Sequence, residues 1–188
     1  MPRRYVDVME TRANLLAGFV RDIPDFPTPG VVFRDITPLL GDAEAFVGTV
    51  DALVASFRDR GIDQVIGVEA RGFILAAPVA YLLGAGFVPV RKKGKLPHSV
   101  EQEHYVLEYG TDLLEIHVDG LVVGSRVVVV DDVLATGGTA AATVRLVEKL
   151  GAEVVGLGFV LELAYLGGRR HLDGREITSL VTYDGADE

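Results

Sequence analysis

Four consecutive valines, Val127 to Val130, follow Arg126 and run directly into two aspartates, Asp131 and Asp132. No other stretch limits the fold as tightly. A continuous β-branched run has no polar face, so it suits a strand buried on both sides, as in the middle of a parallel sheet. Val133, Leu134, Ala135, Thr136, Gly137, Gly138 and Thr139 come next and read as a short Gly- and Thr-rich loop. A helical stripe then starts at Gly138, with Ala141, Val144, Val147 and Leu150 on one side and Gly151 as its stop. A buried strand that turns into a helix is the repeating unit of an α/β fold.

The rest of the chain fits that class. Gln64 to Val68 and Phe87 to Arg91 read as strands, with a buried helix between them from Phe73 to Leu83, interrupted by Pro78. Val154 to Leu161 and Ser179 to Tyr183 read as further strands. Asp42 can cap a helix that runs to about Arg60 and stops at Gly61. Val8, Leu15, Leu16 and Phe19 have near-helical spacing, which predicts an N-terminal helix to about Asp22. Pro24, Pro27 and Pro29 forbid its continuation, and Val31 to Arg34 is extended. Lys92 to Gln102 has no periodicity and is expected to be a mobile loop. Tyr105 to Val118 alternates apolar and polar residues around Gly110, which predicts an antiparallel hairpin. No repeat, linker or composition shift divides the chain, so residues 1–188 are expected to form one domain around one core.

Charge narrows the function. The net charge is −9, which disfavours a nucleic-acid partner. Against that background Arg91, Lys92, Lys93 and Lys95 form a local cationic cluster, which suits a small anion. The absence of cysteine excludes disulfides and thiolate chemistry. No apolar run reaches the ~18 residues of a membrane span. Met1 to Arg12 carries both signs of charge and does not read as a signal peptide, so the expected location is cytoplasmic. His98, His104, His117 and His171 show no metal-ligand spacing.

The loop after the valines is where chemistry is expected. Open α/β sheets bind ligands at the carboxyl ends of their strands. Gly137 and Gly138 let backbone N–H groups approach an anion, and the following helix adds unpaired N–H donors and a partial positive charge. Thr136 and Thr139 add hydroxyls. A phosphate cradle beside two hydroxyl acceptors matches a sugar phosphate. A tight turn capped by its own aspartates is the plainer alternative, but it leaves the full run from Val127 to Thr139 unexplained. The segment is neither a P-loop nor a dinucleotide fingerprint.

This segment resembles the signature for 5-phosphoribosyl-1-pyrophosphate (PRPP) in the type I phosphoribosyltransferases. Phe26 to Pro38, Glu69 to Phe73, Arg91 to Pro97 and Leu107 to Gly110 narrow the resemblance to the adenine-specific branch, over about residues 23 to 162. The resemblance implies a central, mostly parallel sheet flanked by helices, a small hood over about residues 23–40, and an antiparallel flap with a flexible loop over about 92–110. It implies transfer of phosphoribose from PRPP to adenine. An enzyme for xanthine or orotate, or a PRPP-sensing regulator, are the alternatives.

The same resemblance assigns residues. Ala135, Thr136, Gly137, Gly138 and Thr139 would hold the 5-phosphate, and Asp131 and Asp132 the ribose hydroxyls. Glu69, Ala70, Arg71 and Gly72 would form a pyrophosphate loop, joined by Arg91, Lys92 and Lys95, some of them across a homodimer. Val32, Phe33 and Arg34 would bind adenine, with Val133 covering its other face. Glu108 would handle the proton of the adenine imidazole ring, and Tyr105 and Tyr109 would help close the site. Mg²⁺ would arrive with PRPP, held by substrate and water and not by a protein cluster.

Overall fold

The computed structural model describes residues 15–107, 110–172 and 174–186. Nine strands are found among them: β1 (Arg21–Ile23), β2 (Phe33–Asp35), β3 (Gln64–Val68), β4 (Gly86–Lys92), β5 (Val100–Leu107), β6 (Gly110–His117), β7 (Arg126–Leu134), β8 (Glu153–Leu163) and β9 (Ile177–Tyr183). Four α-helices lie wholly within the described residues, α1 (Thr37–Gly41), α2 (Ala43–Phe57), α3 (Arg71–Leu83) and α4 (Gly138–Lys149), beside helical residues 15–17 and two 3-10 turns (Ala164–Leu166 and Gly168–His171). Seven strands form one sheet in the order β5-β6-β4-β3-β7-β8-β9. Strands β4, β3, β7, β8 and β9 are parallel, while β6 joins β4 antiparallel and β5 closes the hairpin. This is the expected α/β architecture. Strands β1 and β2 form the separate small antiparallel sheet.

The valine run behaves as its composition predicts. Val127 and Val129 enter the core cluster on one face, packed with Ala142, Val144, Leu146 and Val147 of α4. Val128 and Val130 enter the cluster on the other face, with Leu53 and Phe57 of α2 and Leu75 and Val79 of α3. All four valines are fully buried. Burying each is worth about 1.5–3 kcal/mol relative to exposure. The strand also continues to Leu134, so both aspartates lie within it.

Local signals set the helix ends. Asp42 caps α2, accepting from the Glu44 and Ala45 N–H groups. The helix ends at Phe57, a turn earlier than expected, and Gly61 lies beyond it at a φ of 61°. Helix α3 begins at Arg71, two residues before the expected start, and Gly84 terminates it in the left-handed region.

Two expectations are corrected. Arg21–Ile23 is a strand, where helical spacing predicted helix to about Asp22. Its register pairs Asp22 with Arg34 and Ile23 with Phe33, so a tertiary partner outweighs local periodicity. Val8, also part of that prediction, lies outside the described residues. The aperiodic segment ends at Ser99, because β5 starts at Val100. Alternation is concealed there because both strand faces carry polar residues. On one face Glu101 and Glu103 are ion-paired to Lys149 of α4, and Glu103 also to Arg145; on the other, Gln102 donates to Glu115.

Candidate active site

A cleft of about 730 Å³ opens at the carboxyl ends of β3 and β7. Four segments converge on it: Val31–Arg34 of the hood, Glu69–Arg71 after β3, Asp131–Val133 at the end of β7, and Thr139 at the start of α4. Tyr105 and Leu114 come from the hairpin. A smaller cavity of about 60 Å³ adjoins it, lined by Ala135, Thr136, Gly137, Gly138 and Thr139 together with Asp131.

The carboxylate pair is the electrostatic centre. The Asp132 N–H donates to Asp131 Oδ1 at 2.9 Å. Burial, and then the charge of Asp132, push the Asp131 carboxyl well above the usual range. Asp132 forms an ion pair with Arg71. Gly72 makes room for this arrangement, since a Cβ there would come within 2.8 Å of Asp131 Oδ1 and 3.0 Å of the Val130 carbonyl. Helix α3 therefore starts directly against the end of β7.

Arg71 links the two walls. Its guanidinium lies 5.3 Å from the Phe33 ring centroid while it pairs with Asp132. Phe33 meets Phe26 edge-on at 5.3 Å. The Arg34 side chain is turned away from the cleft. It is buried, donates to Asp22 Oδ2 at 2.7 Å and to the Ala186 carbonyl at 2.9 Å, and stacks on Tyr183. Both Nη groups are therefore committed within the fold.

Glu69 is engaged on its own side of the loop. Arg91 Nε donates to it at 3.1 Å and the Lys92 N–H at 3.1 Å. Burial pushes its carboxyl up, but those donors outweigh it and hold the pKa below the usual glutamate range. The Glu69–Ala70 peptide is cis. Lys92 reaches the cleft wall and lies 3.8 Å from Asp112. Arg91 and Lys95 stand outside that wall, joined by a bond from Arg91 to the Lys95 carbonyl. The Tyr105 hydroxyl donates to Asp112 at 3.0 Å, and burial, with Asp112, pushes it up to about 12. Glu108 and Tyr109 lie outside the described residues.

Sequence reading missed several wall residues. Leu163 and Leu166 line the cleft as plain apolar positions that no pattern distinguished. Asp112, which does not line the cleft but meets Tyr105 and Lys92 that do, was hidden inside an alternating strand. The Gly167-Gly168-Arg169-Arg170 turn after β8 was passed over, although two glycines after a strand are a signal of close approach.

A mostly parallel sheet with a small glycine-lined cavity beside two carboxylates is the arrangement expected of a phosphoribosyltransferase. The family pattern for the phosphoribosyl transferase domain matches residues 40–175. An adenine phosphoribosyltransferase of Acidothermus cellulolyticus is 57% identical over 168 residues, covering 89% of this chain and 95% of its own. Two solved structures of such enzymes superpose closely. The one from Thermoanaerobacter pseudethanolicus has a TM-score of 0.88 at 50% identity, covering 91% of this chain and 99% of its own. The one from Saccharomyces cerevisiae, complexed with an imino-altritol bisphosphate and adenine, has a TM-score of 0.86 at 40% identity, with 91% and 99% coverage. The chain belongs to the adenine phosphoribosyltransferase family.

Proposed function

We propose that the chain transfers the 5-phosphoribosyl group of PRPP to N9 of adenine, giving AMP and pyrophosphate. The observation that carries this reading is the convergence of hood, Glu69–Arg71 loop, carboxylate pair and phosphate loop on one cleft. The yeast relative's complex with adenine supports the choice of base.

The roles in this reading are those the family resemblance implies, and the cleft geometry is compatible with them for the described residues. Ala135 to Thr139 receive the 5-phosphate in the small cavity, with backbone N–H groups at the start of α4 as donors. Asp131 and Asp132 accept from the ribose hydroxyls. Adenine lies between Phe33 and Val133, and the backbone of Val32 to Arg34 pairs with its edge. Pyrophosphate leaves against the Ala70 to Gly72 backbone, Arg71 and Lys92. Negative charge grows there as the C1–O bond breaks, so a preorganised guanidinium favours the transition state over the ground state. Arg71 exchanges its ion pair with Asp132 for the leaving group. Glu108 takes the proton that N9 attack releases from the imidazole ring. Closure of the segment between β4 and β5, residues 93–99, excludes water from PRPP.

Mg²⁺ accompanies PRPP in this reading. Two adjacent carboxylates, one pushed well up by burial and by the other, suit a cation held beside them by substrate and water. The ion supplies charge neutralisation on the diphosphate. A homodimer belongs to the same reading. Ile74, Tyr81 and Leu82 form an exposed apolar stripe on α3, next to exposed Phe87 on β4, and the basic segment from Arg91 to Lys95 begins at the end of that strand. The setting is cytoplasmic.

The test is product formation with PRPP and Mg²⁺, offering adenine, hypoxanthine, guanine, xanthine and orotate separately. AMP and pyrophosphate from adenine alone are expected. Turnover of another base would overturn the choice of adenine. Binding of PRPP without turnover would favour a sensor.

A further inference from the structure

The geometry points to Glu162 and Arg169 as positioning residues for the phosphate loop, acting through the backbone of Gly168. This rests on the reading of Ala135 to Thr139 as the site of the 5-phosphate.

The turn after β8 is pressed against that loop. A Cβ on Gly168 would fall on the Ala135 carbonyl oxygen and lie 3.0 Å from the Gly137 nitrogen and 3.1 Å from Leu134 Cδ1. Seen from the other side, a Cβ on Gly137 would meet the Gly168 carbonyl carbon at 3.0 Å and its Cα at 3.1 Å. Gly137 has a φ of 84° and is the N-cap of α4. The loop that presents N–H groups to an anion is thus backed by bare backbone, with no side chain between the two segments.

Something must hold the turn there. Glu162 sits at the end of β8, in register with Leu134, the residue immediately before the loop. It is 4% exposed. Arg169 grips it with two bonds, Nε to Oε1 at 2.6 Å and an Nη to Oε2 at 2.6 Å. The Ser179 hydroxyl of β9 adds a third at 2.6 Å. This is a forked, charge-assisted pair whose carboxylate is otherwise enclosed. The Arg170 guanidinium lies against Gly167, so no Cβ fits there either. The clamp links β8, β9 and the Gly167–Gly168 turn, and it joins the sheet at the rung from which the phosphate loop departs. A substrate loop must be placed within a fraction of an ångström, and supporting contacts supply that precision.

The test compares Arg169→Ala, Arg169→Lys, Glu162→Gln and Gly168→Ala with wild type. The readouts are KM for PRPP, KM for adenine, kcat, thermal midpoint, and calorimetric affinity for ribose 5-phosphate. Thr139→Ala reports on the loop itself. Arg169→Ala, Glu162→Gln and Gly168→Ala are expected to raise KM for PRPP and weaken ribose 5-phosphate by about 10- to 100-fold. KM for adenine should move less than about 2-fold, and Arg169→Lys should recover part of the loss. Unchanged ribose 5-phosphate affinity in Arg169→Ala and Gly168→Ala, with weakened binding in Thr139→Ala, would overturn the clamp and leave the phosphate site intact. Equal losses for both substrates with a lowered midpoint would make the pair merely structural, which also overturns it. If Thr139→Ala and Gly168→Ala both bind ribose 5-phosphate normally, the phosphate-loop reading fails, and the clamp with it.

Discussion

Asp131 shows how a single residue can serve the site at the expense of the fold. Its pKa is raised by burial and by Asp132, so the folded state favours the protonated form. That contribution to stability is complete at low pH and is lost as pH rises through the folded pKa. Asp131→Asn should therefore raise the thermal midpoint more at pH 7 than at pH 4, while turnover falls. An equal shift at both values would refute this. Phe33 allows a second residue-scale prediction. A base stacked on an aromatic ring gains about 1–3 kcal/mol. Phe33→Ala should raise KM for adenine about 10- to 100-fold and leave KM for PRPP nearly constant, as steady-state kinetics would show. Placement around the cleft was legible in the sequence where a residue sits in a dense motif, as for Asp131 to Thr139. Arg34 shows the limit, because its ion pair with Asp22 and its contact with Ala186 depend on chain partners far apart in sequence. Arg169 went unread for the same reason, since nothing local signals that Glu162 lies beneath it.

At the scale of elements, reading succeeded where periodicity came from a buried face. Strand β3 has the expected bounds, and α4 stops one residue short of the expected end. It failed where pairing was decided by distant segments, as in β1, or where polar residues satisfy partners on both faces, as in β5. Helix α4 is the element on which site and core depend together. Its first residues line the small cavity beside Asp131, and its stripe of Val144, Leu146 and Val147 packs under β7. Leu146→Ala should cost about 2–5 kcal/mol by denaturant unfolding. Asp42→Ala, which removes only the cap of α2, should cost about 1 kcal/mol. A smaller loss at Leu146 than at Asp42 would contradict this account of the core.

For the whole molecule, acid sensitivity follows from a set of carboxylates held below their usual range. Asp35 is lowered by the Thr37 hydroxyl and N–H, Glu103 by Lys149 and Arg145, and Asp112 by the Leu113 N–H. For Glu162, burial pushes up, but Arg169 and Ser179 outweigh it. Each contributes stability above its unfolded pKa that is lost as pH falls through the folded value. In the Asp131→Asn variant, where the opposing drift from Asp131 is removed, the thermal midpoint should be nearly flat from about pH 7 to 5 and fall steeply below about pH 4. The exposed stripe on α3 sets the other expectation at this scale. Light scattering should give twice the monomer mass, and Tyr81→Asp should shift the protein toward monomer; a monomeric wild type would rule out the dimer. The doubly buried strand β7 also has a consequence for descent. Exchange of one aliphatic residue for another along Val127 to Val130 is a mild change. Insertion or deletion of one codon there would reverse the pleat, swap the faces of Asp131 and Asp132, and push a new side chain into each half of the core. Lineages carrying this fold are free to drift in spelling along the strand but not in its length.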